Sequence, residues 1–348
     1  MNISTIKGVR IQAIAACVPS HTVNNRVFAS EHFSEDLTNT ISALGVEERH
    51  VCTSEETTAL SLCIPAAQKV LQGVDPEEIG AVVMVTLTPD CLMPNNASYA
   101  QHLLGLPSGI AAFDINHACS GFVYGLWNAA LLCQNLRKKV LLLDGDVNSK
   151  YVSPTDKSTA LLFGDAGTAT LITPDDEAEE WHFTFHTDGS NRDAILMRLG
   201  FKYPVKKEYL DTQVFEDGGK RRFIDMQMDG RKVFDYVVET VPTLVSAYFD
   251  EQETAPEEFS LLLLHQANQN MLKRLARKIG FDFRTQMPVC MDKYGNTSSV
   301  SIPLTIASEL KDPAGHVLMI GMGAGLATGI ADLSLDGLVN YGVLEESV

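Results

Sequence analysis

The sequence predicts an α/β protein built from two duplicated halves with mixed sheets, and two observations support this prediction. Short apolar runs without polar alternation, such as 81–86 and 261–264, alternate with helical segments, as expected for strands buried on both faces. Similar features also recur at a nearly constant spacing along the chain. We therefore expect one half over residues 1–174 and the other over residues 175–348.

Three aligned features define the repeat. Thr86, which ends the first apolar run, aligns with His265 at an offset of 179 residues, and Cys119 aligns with Asn296 at 177. Apolar strands that begin at 140 and 317 are also 177 residues apart. Any one pair could match by chance, but a common offset favours duplication. The polar region from 174 to 219 predicts a join between the halves and an excursion on the substrate side.

Bulk composition excludes several classes of protein. The 348 residues are 45% hydrophobic, enough for a large core, and the formal net charge of −17 argues against nucleic acid as a general partner. The seven cysteines are scattered without a CxxC pair, which favours a reducing compartment and argues against a zinc or disulfide framework. We find no signal peptide and no apolar stretch long enough to span a bilayer. A cytoplasmic protein without a structural metal is expected.

Cys119 is the most informative residue. The apolar run 110–113 predicts a buried strand before it, and the amphipathic stretch 120–134 predicts a helix after it. The cysteine therefore falls near a helix N-terminus, where unpaired amides and the helix dipole favour a thiolate. An isolated cysteine is more often structural, and the other six are expected to be so.

Two further residues change that expectation. His265 ends an apolar strand, and Asn296 precedes an apolar helix that begins near Ile302. Alone, each is typical of a surface histidine or a helix cap. If the halves are related by a pseudo-twofold axis, however, both converge with Cys119 beyond the carboxyl ends of the strands.

The chain resembles the β-ketoacyl-acyl carrier protein synthase III family of the thiolase-like superfamily. Its motifs occur in the family's order: Ala118-Cys119-Ser120-Gly121-Phe122, Phe163-Gly164-Asp165-Ala166-Gly167, His265-Gln266-Ala267-Asn268, Gly295-Asn296-Thr297-Ser298 and Gly321-Met322-Gly323-Ala324-Gly325. The resemblance implies a five-layered αβαβα fold, a homodimer and a catalytic triad of Cys119, His265 and Asn296.

That resemblance also implies a reaction. Cys119 would take an acyl group from a thioester, with the backbone amides of Cys119 and Ala324 as an oxyanion hole. His265 and Asn296 would stabilise the enolate of a malonyl-acyl carrier protein, which then condenses with the acyl group. Met93 would close the acyl pocket of the dimer partner. No resident cofactor is implied, since acyl-coenzyme A or acyl carrier protein delivers the substrate.

The sequence departs from the family at the adenine site. The family's tryptophan and arginine before Gly45 correspond here to Asn39 and Ala43, which favours an acyl donor other than one held by coenzyme A adenine. His117 replaces a usually small residue, and a packing or dimer-contact role is expected for it.

One basic helix face stands out on this acidic chain. Lys273, Arg274, Arg277 and Lys278 fall within an arc of about 140° on a helix. A solvated face is the simple interpretation. The functional one is a docking patch for an acidic acyl carrier protein.

Other enzyme classes fit less well. A degradative thiolase needs a second cysteine in the turn where Met322 lies, and plant-type polyketide synthases are longer with a different glycine turn. Acyl transfer to a non-malonyl acceptor in secondary metabolism is the closer alternative. A catalytically silent partner subunit is the non-enzyme alternative, and it would have no need of all three triad residues.

Overall fold

The computed structural model describes residues 1–346, in which strands and helices alternate. The strands are β1 Ile3–Ile6, β2 Val9–Pro19, β3 Thr22–Asn24, β4 Glu48–His50, β5 Ile79–Val85, β6 Ala111–Ile115, β7 Lys139–Val147, β8 Asp165–Pro174, β9 Trp181–Thr187, β10 Ile195–Leu196, β11 Gln213–Val214, β12 Lys220–Arg221, β13 Gln227–Met228, β14 Leu261–Leu264, β15 His316–Gly323, β16 Ala327–Ser334 and β17 Val339–Glu346. The helices are α1 Asn25–His32, α2 Thr38–Leu44, α3 Ala59–Val70, α4 Asn96–Leu103, α5 Gly121–Leu136, α6 Gly230–Asp235, α7 Val241–Gln252, α8 Gln269–Lys278, α9 Met291–Tyr294 and α10 Ser301–Glu309.

Two large mixed sheets repeat one topology. The first has the order β17-β2-β8-β7-β5-β6 and the second β1-β9-β16-β15-β14. In the first, β5 pairs parallel with β7, which pairs antiparallel with β8. In the second, β14 pairs parallel with β15, which pairs antiparallel with β16. The strands that carried the predicted offset are therefore equivalent members of two similar sheets.

The sheets and helices form five layers, as expected. Helices α5 and α10 lie between the sheets, where Phe122 and Ile302 share a core with Val83 and Leu263. Helix α3 covers the outer face of the first sheet, and α7 and α8 cover the outer face of the second. Buried positions on α5 extend around much of its circumference because sheets flank it on both sides. The α/β fold class is confirmed.

The termini exchange places between the sheets. Strand β1 pairs with β9 in the second sheet, and β17 pairs with β2 in the first. The first sheet otherwise comes from residues 9–174, and the second from residues 181–334. The chain thus crosses from one layer to the other at both ends.

Two expectations about single strands were wrong in detail. The polar region 174–219 contains β9, an inner strand of the second sheet on which Trp181 and Phe183 are fully buried. The run before Cys119 forms β6, but this strand lies at the edge of the first sheet and is only partly buried. It pairs with β5 along one side alone within the described chain.

Candidate active site

Cys119 lies between β6 and α5, two residues before the helix begins. It is 9% exposed, and Ser120 is the N-cap residue of α5. Strand β15 approaches this segment closely: a Cβ atom on Gly323 would lie 2.7 Å from Cys119 Cβ, and one on Gly321 would lie 2.8 Å from Ser120 Cα. Glycine is therefore required at both positions for β15 to pack against the cysteine.

His265 follows β14 directly, and its main-chain N–H donates to Ile320 on β15. Its ring Nδ1 lies 2.8 Å from Ser301 Oγ, which also accepts the Gln266 N–H at 3.2 Å. Ser301 is fully buried, and among the described residues its hydroxyl proton has no acceptor except His265 Nδ1. A buried hydroxyl proton needs an acceptor, which assigns Nδ1 that role and leaves the hydrogen on Nε2.

Asn296 is held by the loop that contains Phe163 and Gly164. Its N–H donates to Leu162 O at 2.8 Å, and its carbonyl accepts from Gly164 N–H at 3.1 Å. Asn296 Oδ1 accepts the N–H of Ser298 at 2.9 Å. No hydrogen bond within residues 1–346 engages Asn296 Nδ2, so its two protons are available to a ligand.

Ser298 connects the three residues. Its N–H donates to Asn296 Oδ1, its hydroxyl lies 3.9 Å from Cys119 Sγ, and its main chain acts to raise the pKa of His265. It adopts φ of +58°, in the left-handed region that a non-glycine residue rarely occupies. Such strain persists where surrounding contacts impose it, commonly at functional sites. Ser298 belongs to the motif Gly295-Asn296-Thr297-Ser298, but the sequence predicted no role for it.

Burial keeps both reactive side chains neutral. It raises the pKa of the Cys119 thiol to about 12, with the Ser298 hydroxyl acting in the opposite direction. Burial also lowers the pKa of His265 to about 4, partly opposed by the Ser298 main chain. The sequence predicted that the helix N-terminus favours a thiolate, and burial acts in the opposite direction: at neutral pH it favours a neutral thiol and a neutral imidazole.

Two buried aspartates lie behind this cluster, and sequence reasoning missed them. Ser299 Oγ lies 2.6 Å from Asp144 Oδ1 and 3.2 Å from Asp146 Oδ2. Asp146 also accepts the Leu87 N–H at 2.9 Å, whereas Asp144 Oδ2 has no partner among the described residues. Burial raises the pKa of Asp146 to about 6 and that of Asp144 well above its ordinary range, with Asp146 adding to the latter. The spacing Asp-Gly-Asp within a buried strand was the available signal.

Two backbone N–H groups, those of Cys119 and Ala324, are further potential donors to a ligand. The N–H groups of Cys119 and Ala324 have no acceptor in another described residue. Both residues, together with His265 and Asn296, line a cavity of about 930 Å³. One cavity is thus lined by residues that carry a thiol, an imidazole, a carboxamide and two backbone amides without an acceptor among the described residues, a set suited to acyl transfer through a covalent thioester.

Four other residues singled out in the sequence do not line this cavity: Met93, Asn39, Ala43 and His117. Met93 is 86% exposed and does not line the cavity of its own chain, although Leu92 does. Asn39 is exposed and Ala43 half-buried on α2, and neither lines the cavity, whereas Leu44 does. His117 stacks on Tyr124 at 4.0 Å and lies outside the cavity wall.

The basic residues of α8 lie on the helix whose Met271 lines the cavity. Arg274, Arg277 and Lys278 are exposed, and Lys273 is half-buried with its Nζ 2.9 Å from Gln269 Oε1. The Arg274 guanidinium lies 5.5 Å from the ring of Phe234, which lines the cavity.

Within residues 1–346, no group of three or more His, Cys, Asp and Glu side chains is arranged to hold a metal ion. None of the described helices combines the length and apolar character needed to cross a membrane. All seven cysteines are unpaired.

Family models, sequence relatives and solved structures of one group of enzymes match this chain. Residues 113–189 match the family model of 3-oxoacyl-[acyl-carrier-protein] synthase III, and residues 249–334 match its C-terminal counterpart. A β-ketoacyl-[acyl-carrier-protein] synthase III of Streptococcus pneumoniae is 31% identical over 94% of this chain and 99% of its own. The crystal structure of a 3-oxoacyl-(acyl-carrier protein) synthase from Burkholderia xenovorans matches with a TM-score of 0.91, 34% identity and 99% coverage of both chains. That of the Thermus thermophilus synthase III matches with a TM-score of 0.78 and 27% identity, covering 94% of this chain and 99% of its own.

Proposed function

Because the chain belongs to the 3-oxoacyl-[acyl-carrier-protein] synthase III family, we propose that Cys119, His265 and Asn296 carry out its acyl transfer and condensation. The protein is an acyltransferase of the β-ketoacyl synthase type. The observation that carries the assignment of residues is that all three line one cavity, where Ser298 contacts both Asn296 and Cys119.

The first step loads the enzyme. Cys119 Sγ attacks the carbonyl carbon of an acyl thioester, and the oxygen gains negative charge that the amides of Cys119 and Ala324 stabilise. The bond from the carbonyl to the donor sulfur then breaks, and the departing thiolate takes up the proton lost by Cys119. This exchange suits a resting thiol, because no net charge enters the buried site.

The second step generates the carbon nucleophile. A malonyl thioester loses carbon dioxide, and the electron pair of the broken carbon–carbon bond forms an enolate. In this step His265 Nε2–H and Asn296 Nδ2 donate to the enolate oxygen. The hydrogen bonds of His265 Nδ1 to Ser301 and of Asn296 Oδ1 to Ser298 support these roles, because they leave the two donors free. Removing one such donor typically costs about 2.7–4 kcal/mol of transition-state stabilisation.

The third step forms the product. The enolate carbon attacks the acyl carbonyl held on Cys119, the carbon–sulfur bond breaks, and the released Cys119 thiolate takes a proton from solvent. A β-ketoacyl thioester leaves on the malonyl carrier. These steps use protein groups alone, so no resident cofactor enters them, and malonyl-acyl carrier protein is the partner we infer.

We also infer a homodimer in a reducing compartment, the cytoplasm. The edge strand β6, the exposed Leu92 and Met93, and the exposed Tyr99 and Leu103 on neighbouring α4 support a subunit interface on this side. In such a dimer Met93 would reach the partner's acyl pocket. Seven unpaired cysteines support the compartment.

Intact-protein mass spectrometry tests the proposed chemistry. Wild type incubated with acyl-coenzyme A or acyl-carrier thioesters should gain the acyl mass, and Cys119→Ala should not. Malonyl-acyl carrier protein should then discharge the acyl group as a β-ketoacyl product. Asn296→Ala should still load but should discharge about 10²–10³-fold more slowly. If no donor loads wild type, or if Cys119→Ala loads equally well, the assignment is wrong.

A further inference from the structure

Apart from the proposed catalytic residues, the lining of the cavity is mainly apolar, and part of it follows the alternation of a strand. Strands β10 and β13 pair antiparallel, with Ile195 opposite Met228. Ile195 and Met228 of this ribbon line the cavity, as do Met197 and Met226, which directly flank its strands, while Leu196 and Gln227 do not. Alternation is the signature of a strand that presents one face. We call these four side chains the ribbon wall.

Helical residues continue this apolar surface. Val233, Phe234 and Val237 line the cavity from α6 and the turn after it, and Met271 lines it from α8. Methionine side chains are flexible and polarisable, so they adapt to ligands of variable shape. Five of them line this one cavity, Met322 being the fifth.

Charge is almost absent from the lining. Among the described lining residues there is no lysine or arginine, and Asp90 is the one carboxylate. Asp90 is exposed, and its oxygens accept from Thr58 Oγ1 and Asn96 Nδ2, both at 3.1 Å. The lumen therefore offers no counter-charge to an ionic group and favours a neutral apolar one.

The volume of the cavity also bears on the size of the acyl group that it accepts. A cavity of about 930 Å³ is large enough to bury most of a drug-sized ligand. An acetyl group has two carbons and would occupy little of this volume, so most of the apolar lining would have no ligand contacts. A longer alkyl chain fills the space and removes apolar surface from water.

On the basis of the proposed function, we propose that Cys119 accepts a medium- or long-chain acyl group, of about eight carbons or more, in preference to acetyl. The ribbon wall packs against this chain. The bond changes are those of the loading step, so chain length alters affinity and orientation without altering the chemistry.

Loading rates across a chain-length series test this inference on the wild-type protein. Acetyl, butyryl, octanoyl and dodecanoyl thioesters are each presented on coenzyme A and on holo-acyl carrier protein, and acylation of Cys119 is followed by intact mass. Octanoyl or dodecanoyl should load at least about tenfold faster than acetyl, since a single methylene can discriminate tenfold. Preferential loading of acetyl overturns the inference but supports the proposed function. Loading of no thioester overturns both.

A pair of variants localises the effect. Met197→Gln combined with Met228→Gln makes the ribbon wall polar at nearly constant shape, and should lower the ratio of dodecanoyl to acetyl loading about tenfold. Leu196→Gln is the matched control, because it places the same polar group on the opposite face of β10. An equal fall of the ratio in the control and the double variant would contradict a role for the ribbon wall.

Discussion

Cys119 lies near the amino end of α5, where the helix dipole favours a thiolate, while burial favours the thiol. The dipole contributes about 0.3–2 kcal/mol in such positions. Burial raises the pKa of Cys119 from its ordinary value of 9.0 to about 12, which corresponds to about 4 kcal/mol against the charged form. Desolvation is therefore the larger effect, and the position of a cysteine relative to a helix does not by itself predict its charge.

Alkylation of Cys119 should consequently become faster with pH without reaching a plateau. Below a pKa of about 12 the thiolate fraction rises about tenfold for each pH unit. We expect the rate of iodoacetamide modification at this residue to follow that slope from pH 7 to 9. Peptide mapping separates this reaction from that of the exposed Cys91. A rate that is constant above pH 7 would instead indicate a thiolate in the resting enzyme.

The buried pair Asp144 and Asp146 makes a second prediction. Burial raises the pKa of Asp144, so the folded protein retains this proton to higher pH than the unfolded chain does. Stability linked to this group is thus complete below the unfolded pKa of about 3.9 and is lost as pH rises toward and through the folded value. Asp144→Asn removes the titration and should make the free energy of unfolding less dependent on pH between 5.5 and 8.

Asp146→Asn provides the contrast in the same denaturation experiment. Asp146 accepts from the Leu87 N–H and from the hydroxyls of Thr86, Thr88 and Ser299. The amide group cannot accept from all of them, and we expect a loss of about 1–3 kcal/mol that is uniform between pH 7 and 8, above the Asp146 pKa of about 6. If Asp144→Asn showed the same uniform loss, the proposed difference between the two carboxyl groups would be wrong.

At the scale of elements, strands buried on both faces were predictable and strands of mixed character were not. The apolar runs that form β5 and β14 stand out in sequence because both of their faces are covered. Strand β9 was missed because charged residues precede it, although Trp181, Phe183 and Phe185 alternate with polar residues. The ribbon formed by β10 and β13 has two residues per strand, and its pairing joins segments about thirty residues apart.

The basic face of helix α8 leads to a prediction about carrier-protein docking. Its residues Arg274 and Arg277 are exposed, and Arg274 lies near Phe234, which lines the cavity. Opposite charge on a carrier protein would steer the encounter. Arg274→Glu with Arg277→Glu should lower kcat/KM for carrier-bound donors about tenfold or more at low salt. The loss should be smaller for the corresponding pantetheine thioesters and should diminish as salt is added.

Lys138→Glu with Lys311→Glu makes the same change of −4 in net charge at exposed residues outside α8, and therefore controls for the change in net charge. Equal losses for carrier-bound and pantetheine donors would show that α8 affects the site in another way than by docking.

At the scale of the whole molecule, the repeat predicted which residues converge but not what holds them. The offset placed Cys119 and Asn296 at related positions, and the sheets have the matching topology. The roles of Ser298 and Ser301 depend on backbone conformation and on a hydroxyl proton, which a spacing pattern does not encode. The exchange of β1 and β17 between the sheets was equally hidden, because short terminal strands carry little periodicity.

The exposed side formed by β6, α4 and the loop containing Met93 leads to the final prediction. Burying Tyr99 and Leu103 would remove apolar surface from water at the sheet edge, so light scattering after gel filtration should give the mass of two chains. Tyr99→Glu with Leu103→Glu places charges in that interface and should produce monomers that load acyl groups more slowly, because the partner's Met93 no longer closes the pocket. Val27→Glu, at an exposed apolar residue of α1, should remain dimeric. A monomeric wild type, or a double variant that stays dimeric, would place the interface elsewhere.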